Sequence, residues 1–192
     1  MNRFLILCAV SLLLGACSTK TLLNVNVDAD SFVPAETRSG SFPVTVLGDF
    51  EYRFPDDDGD TTNGNDPNGS SLSVPSLKFV TAATLTVKLT VNTSLTANLE
   101  LYIAPDGTAD IYLPQYQVLQ GSTATGATFE ASANLSATSS DAAQKQAFEA
   151  IQSGKFRIGA RARGTGTAGA LVGYTIDDLF VSVSGYPIQV FF

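Results

Sequence analysis

Histidine and tryptophan are absent from this 192-residue chain, and both of its cysteines, Cys8 and Cys17, fall near its start. Without His there is no Ser-His-Asp or Cys-His catalytic arrangement, and no imidazole-ligated zinc, copper or non-haem iron. Cysteines placed so early do not staple a domain. Charge is sparse too, at 15% of residues, and acids outnumber Lys and Arg 18 to 11, for a formal net charge of −7. A chain of that sign does not adhere to nucleic acid through its net charge, so no nucleic-acid partner is expected. What is plentiful is apolar material, 44% of residues, and the length suits a single domain with a sizeable core.

The N-terminus has three parts. Met1-Asn2-Arg3 carries one positive charge, Phe4 to Leu14 is an apolar run, and Leu14-Gly15-Ala16-Cys17 follows. The run is about 11 residues, whereas a membrane-spanning helix needs about 20. It has the length and flank of a secretory h-region. Leu14-Gly15-Ala16-Cys17 resembles the lipobox of bacterial lipoproteins, with an aliphatic residue, two small ones and the acceptor Cys. The resemblance covers residues 1–17 and implies a signal peptide at 1–16 that is removed, and a diacylglycerol on the Cys17 thiol. Residues 17–21 would then be a lipidated tether and 22–192 the β-rich domain. Ser18 in place of Asp implies, by the family's sorting rule, the outer membrane of a cell that has two. Two or more acyl chains hold a protein stably at a bilayer, since each buried CH₂ contributes about 0.8 kcal/mol. Loss of residues 1–16 also removes Arg3 and leaves the chain more acidic and without a second thiol.

From Leu22 onward the pattern has period two. Leu85, Val87, Leu89 and Val91 alternate with Thr84, Thr86, Lys88 and Thr90. Leu99, Leu101 and Ile103 alternate with Asn98, Glu100 and Tyr102, and Phe129, Ala131, Ala133 and Leu135 with Thr128, Glu130, Ser132 and Asn134. Strands with one dry and one wet face read this way. Phe42, Val44, Val46, Phe50, Tyr52 and Phe54 share one parity, which predicts a long strand eased by Gly48. Further strands are expected near 22–27, 109–119, 155–163, 170–184 and 186–192. Inward parity changes between Ile176 and Leu179, which predicts a β-bulge at Asp177-Asp178.

One stretch departs from this rule. Asp141-Ala142-Ala143-Gln144 begins like a capping box, Ala143, Ala147, Phe148 and Ile151 form a narrow apolar stripe, and Gly154 stands at the end. One short α-helix is expected near 140–153, on a sheet edge or closing one end. The expected architecture is all-β, an antiparallel β-sandwich or partly closed barrel with that helix.

Three clusters bear on chemistry. Residues 55–69 hold five acids, and Asp56, Asp58 and Asp60 have the alternate spacing by which carboxylates converge on calcium. The segment is similar to Asp-rich calcium turns of extracellular bacterial β-proteins. Thr61 and Pro67 stand where an EF-hand needs Gly and Glu, and a solvated turn of Asp, Asn, Gly and Pro accounts for the same composition. No cofactor is required by the sequence; calcium is the one to test. Gly164-Thr165-Gly166-Thr167-Ala168-Gly169 has nucleotide-loop spacing but lies between two strand patterns, so a hairpin loop is expected instead. Lys155, Arg157, Arg161 and Arg163 share one strand parity, a cationic stripe stepping by roughly 6.5–7 Å. It is either an anion- or partner-binding face or a face paired internally, with Thr175 and Asp177 of the next strand as the expected partners.

Glu51, Glu100 and Glu130 all point outward, yet nothing in the sequence sets two of them at the roughly 5–5.5 Å or 6.5–9.5 Å that glycoside hydrolysis uses. No enzyme is expected. Two functions fit: a non-catalytic, lipid-anchored envelope protein that binds envelope proteins or polymers, or a module holding a small or lipidic ligand in an apolar cavity closed by the 140–153 helix. A filled core and a lined cavity give the same alternation.

Overall fold

The computed structural model describes residues 23–28, 38–44, 48–54, 67–73, 80–92, 97–123, 128–166, 169 and 171–185. In chain order these form β1 (Leu23–Asp28), β2 (Ser39–Pro43), β3 (Gly48–Phe54), β4 (Ser70–Ser73), β5 (Val80–Asn92), β6 (Ala97–Pro105), a 3-10 turn (Pro114–Tyr116), β7 (Gln117–Thr123), β8 (Thr128–Ser136), α1 (Ala142–Ser153), β9 (Lys155–Gly166) and β10 (Leu171–Gly185). Two five-stranded sheets stack face to face. The first runs β1-β10-β5-β8, with β2 also on β10; the second runs β3-β9-β6-β7, with β4 also on β9. Every pairing is antiparallel. The fold is a β-sandwich with one helix.

Alternation explains both faces. In the first sheet Leu85 lies opposite Ala133, and Val87 opposite Ala131, while Thr84 and Thr86 meet Asn134 and Ser132 on the other side. The inward set joins Leu101, Ile103, Phe156, Ile158, Leu179 and Val183 in the main core. The outward set hydrogen-bonds across strands, Thr84 Oγ1 to Asn134 Oδ1 and Thr86 Oγ1 to Ser132 Oγ, each 3.1 Å. Each large apolar side chain fully removed from water contributes about 1.5–3 kcal/mol, so the inward rows dominate stability. The expected bulge is present: β10 skips one residue against β5 between Ile176 and Asp178, which keeps Leu179 and Val183 in the core.

Helix α1 begins at Asp141, whose carboxylate accepts the N–H groups of Ala143 (2.8 Å) and Gln144 (3.1 Å). Gln144 does not complete a capping box; its Oε1 accepts from Ser139 Oγ instead. Gly154 ends the helix in the left-handed conformation, φ 83°. The stripe Ala143, Ala147, Phe148, Ala150 and Ile151 is buried, and α1 packs on strands of both sheets, bridging them at the β7 and β8 side. No described helix is long and apolar enough to cross a membrane.

Three expectations are corrected. Residues 42–54 are not one strand: β2 belongs to the first sheet and β3 to the second, and the parity persists across the break because Val44, just after β2, packs in one core cluster with Phe50 and Tyr52 of β3. Gly48, at φ 124°, opens β3. Residues 109–116 are not strand either. Asp106-Gly107 turns the chain, Gly107 at φ 81°, and the segment folds back over the outer face of the second sheet; strand resumes only at Gln117. Finally, β9 and β10 do not form a hairpin, because they lie in different sheets. Residues 186–192 lie outside the described residues.

Candidate functional site

The chemistry of the described residues concentrates on the outer face of the second sheet. Inward residues Phe156, Ile158 and Ala162 of β9, and Leu99, Leu101 and Ile103 of β6, commit the alternate positions to this face. Register then sets two rows across it. Ser122, Asn98, Arg163 and Glu51 make one; Gln120, Glu100, Arg161 and Arg53 make the next.

At the centre sits Glu100. Its Oε2 accepts from Arg161 Nε (2.7 Å) and from the Tyr102 hydroxyl (2.6 Å), and its Oε1 accepts from Arg163 Nη2. Tyr102 Oη also accepts from Arg161 Nη2. Glu100 is 5% exposed and Arg161 8%, the two buried charged residues among those described. Burial works to raise the Glu100 carboxyl, but the hydrogen bonds from Tyr102, Arg163 and Arg161 and the charge of Arg161 hold it below the usual carboxylate value. Burial, with Glu100 beside it, pushes the Tyr102 hydroxyl far above its ordinary value, so it stays a donor. The Arg163 guanidinium is raised by its hydrogen bond to Glu100.

Arg53 and Arg161 stand directly opposite in register, a like-charge pair that is unfavourable by itself. Glu51 offsets it, with Oε1 at 3.0 Å from Arg53 Nε and 3.7 Å from Arg161 Nη1. Each guanidinium also lies over a ring, Arg161 over Tyr102 at 5.0 Å and Arg53 over Tyr112 at 4.9 Å. Those rings meet edge to face, centroids 5.2 Å apart. They belong to a small outer core, Tyr102, Ala104, Ile111 and Tyr112, that the 105–116 segment clamps onto the sheet. Gly159 makes the clamp fit: a Cβ there would lie 2.6 Å from Tyr112 Oη and 2.7 Å from Ile111 Cδ1.

Beside this network the sheet surface dips. A depression of about 430 Å³ is lined by Asn98, Glu100, Gln120, Gly121, Ser122 and Arg163. A second, about 340 Å³, lies between β7 and the start of α1 and shares Gln120 with the first.

Of the sequence-derived candidates, Lys155, Arg157, Arg161 and Arg163 all fall on this outer face. The cationic stripe is not uniform. Arg161 and Arg163 are bound to Glu100, Arg157 donates to the Asn68 carbonyl (3.1 Å) and faces Asp106 at 3.8 Å, and Lys155 is exposed. The partners come from β3, β6, the turn after β6 and Asn68 before β4, not from Thr175 and Asp177 of β10. Asp177 instead accepts from Thr90 Oγ1 at 2.6 Å on the other sheet. Gly164 and Gly166 lie within β9, and Gly169 N donates to the Val44 carbonyl, so the glycines serve a crossing between sheets. Cys17 and the calcium candidates Asp56, Asp58 and Asp60 lie outside the described residues. Among the described residues no three acidic or thiol side chains are grouped to hold a metal. Sequence alternation marked Glu100 and Tyr102 as outward but not as buried, because the cover comes from a segment read as strand.

No protein-family model and no curated protein matches the chain. Among solved structures it is similar to that of the Gt strain of infectious bursal disease virus, with TM-score 0.42 and 12% identity over 87% of this chain and 32% of that one. It is also similar to TmCBM61 in complex with β-1,4-galactotriose, with TM-score 0.33 and 10% identity over 85% and 88% of the two chains. A latent aurone synthase follows, with TM-score 0.31 and 9% identity over 76% and 26%. The chain spans about a third of the viral chains it matches.

Proposed function

We propose that this chain is a non-catalytic, lipid-anchored protein of the cell envelope that binds a polar partner on the outer face of its second sheet. The observation that carries the binding part is the Glu100–Arg161–Arg163–Tyr102 network, which fixes charged side chains beneath an open polar depression. A site of this kind loses little side-chain freedom when a ligand docks. Envelope polymers and envelope proteins are the partners in reach of a domain tethered a few residues from Cys17. The anchor rests on Leu14-Gly15-Ala16-Cys17 and the h-region before it.

The structure gives a reason to prefer a surface ligand over one inside the sandwich. Phe148, 1% exposed, packs from α1 in the main core with Ala147 and Ile151, which supports a helix seated in the core rather than over a ligand. Ligand binding is kept, and its place is moved outward. Glu100 is buried and accepts from Arg161, Tyr102 and Arg163, and that supports a role in holding rather than in proton transfer.

The test of the anchor is Cys17→Ala expressed in a bacterial host. The variant is expected to remain uncleaved or to leave the membrane fraction. Unchanged processing and unchanged membrane fractionation would overturn the assignment.

A further inference from the structure

The paired depressions along β7 say which ligand chemistry this face takes. We infer that they form one elongated site for a neutral oligosaccharide, an inference that rests on the surface-binding reading above and deepens it. Three observations lead there.

Every charge lining the site is already compensated. Arg163 is bound to Glu100, and the Asp141 carboxylate accepts two helix N–H groups. An anion at Arg163 would lie against the Glu100 carboxylate, and a cation at Glu100 would lie against Arg163. An uncharged ligand meets neither repulsion. The larger depression also offers hydrogen-bonding groups of both kinds at strand spacing, the Asn98 amide, the Ser122 hydroxyl and the Gln120 amide. The smaller one adds Gln117 beside the apolar Pro114, Val118, Leu119 and Ala143. Gln120 Oε1 accepts from Gln117 Nε2 at 2.7 Å, which leaves its own N–H donors for the site. Groups that both donate and accept, about 5–7 Å apart, suit the ring-to-ring repeat of an oligosaccharide better than the hydroxyls of a single ring. The shape agrees: depressions of about 430 and 340 Å³ share Gln120 as a common wall, so the site is longer than one ring needs.

No ring is offered as a stacking platform here, because Tyr102 and Tyr112 are buried in the outer core. Binding therefore rests on hydrogen bonds, each contributing about 0.5–1.5 kcal/mol net, and single-site affinity should be weak. Many copies tethered on one membrane would convert weak contacts into firm attachment to a repeating polymer.

The experiment is an NMR titration of the full-length, ¹⁵N-labelled protein in detergent. The probes are three neutral trisaccharides, cellotriose, maltotriose and N,N′,N″-triacetylchitotriose, with trigalacturonate and inorganic phosphate as charged comparisons. At least one neutral trisaccharide is expected to shift the Asn98 and Gln120 side-chain amides saturably. Gln120→Ala, at an exposed position, should weaken that binding about tenfold with an unchanged thermal midpoint. Shifts produced by trigalacturonate or phosphate but by no neutral sugar would overturn the inference and make this an anion site. Silence from all three neutral probes would overturn it as well. If Ser122→Arg then abolished attachment to isolated cell envelopes although no sugar binds, the surface-binding reading would stand and only the saccharide class would fall.

Discussion

Glu100 and Arg161 face each other across β6 and β9, their carboxylate and guanidinium joined at 2.7 Å and both nearly sealed from water. The pair lies on the outer face of a sheet, where charged residues are ordinarily solvated. The 105–116 segment and the two tyrosines make the difference, and the result is a rigid ionic floor under a polar surface. Glu100→Ala should cost about 3–5 kcal/mol in a denaturant titration, because it leaves Arg161 buried without its main partner. Arg161 would keep the neutral Tyr102 hydroxyl and, as its acidic partner, the more distant Glu51. Glu51→Ala, at a more exposed position, should cost no more than about 1 kcal/mol. Equal and small effects would mean that the floor is not buried in solution.

Acid should act through the same group. The folded-state carboxyl of Glu100 is held below its ordinary value of 4.5, so the folded state binds its proton less readily than the unfolded one. Its stabilisation is therefore present above about pH 4.5 and is lost as pH falls through the folded-state value. In Glu100→Gln this component is missing. The gap in thermal midpoint between the two proteins should be constant near neutrality and shrink below pH 4.5. A gap that does not narrow in acid would contradict the ionised, hydrogen-bonded state of Glu100.

Gly159→Ala tests the clamp. The new methyl would meet Tyr112 Oη and Ile111 Cδ1 well inside contact distance. Overpacking of this kind costs about 1–3 kcal/mol, and the 105–116 segment should loosen first. Hydrogen exchange is expected to rise at Ile111 and Tyr112 before it rises in β5 or β10. Uniform exchange across both sheets would show that the segment does not act as a separate cover.

Much of this was legible in the sequence. Residues Thr84 to Val91 and Asn98 to Ile103 announced their strands by period two, and Asp141, the apolar stripe and Gly154 bounded the helix to within a residue or two. The bulge beside Asp177 was visible as a change of parity. Sheet assignment was not legible, because parity says which residues face the core and nothing about which sheet carries them. That is why Phe42 to Phe54 read as one strand, and why Arg157 reads as opposite Thr175 or Asp177 when it bonds the Asn68 carbonyl and faces Asp106. The 109–116 segment misled for a related reason: Ile111 and Tyr112 are buried, but on the outer face. Two like-sign residues opposite each other, Arg53 and Arg161, become tolerable through Glu51, Glu100, Asp110 and two aromatic rings, a sum of contacts that strand pattern alone does not encode.

Phe148 bears on whether the interior is filled or lines a cavity. Its ring is almost fully buried, so Phe148→Ala should destabilise by about 3–5 kcal/mol. Native mass spectrometry of the unsubstituted protein purified from membranes should show the lipid-modified chain alone. A reproducible, non-covalent apolar mass would return the ligand to the interior.

The location of the binding face is the central claim, and cosedimentation of the purified protein with isolated cell envelopes tests it most directly. Ser122→Arg places a long cation at the depression on the second sheet, and Thr86→Arg places the same side chain on the outer face of the first sheet. Both positions face away from the core, so both variants should fold. Ser122→Arg is expected to lose cosedimentation while Thr86→Arg keeps it. Full retention by Ser122→Arg, or loss confined to Thr86→Arg, would contradict the account.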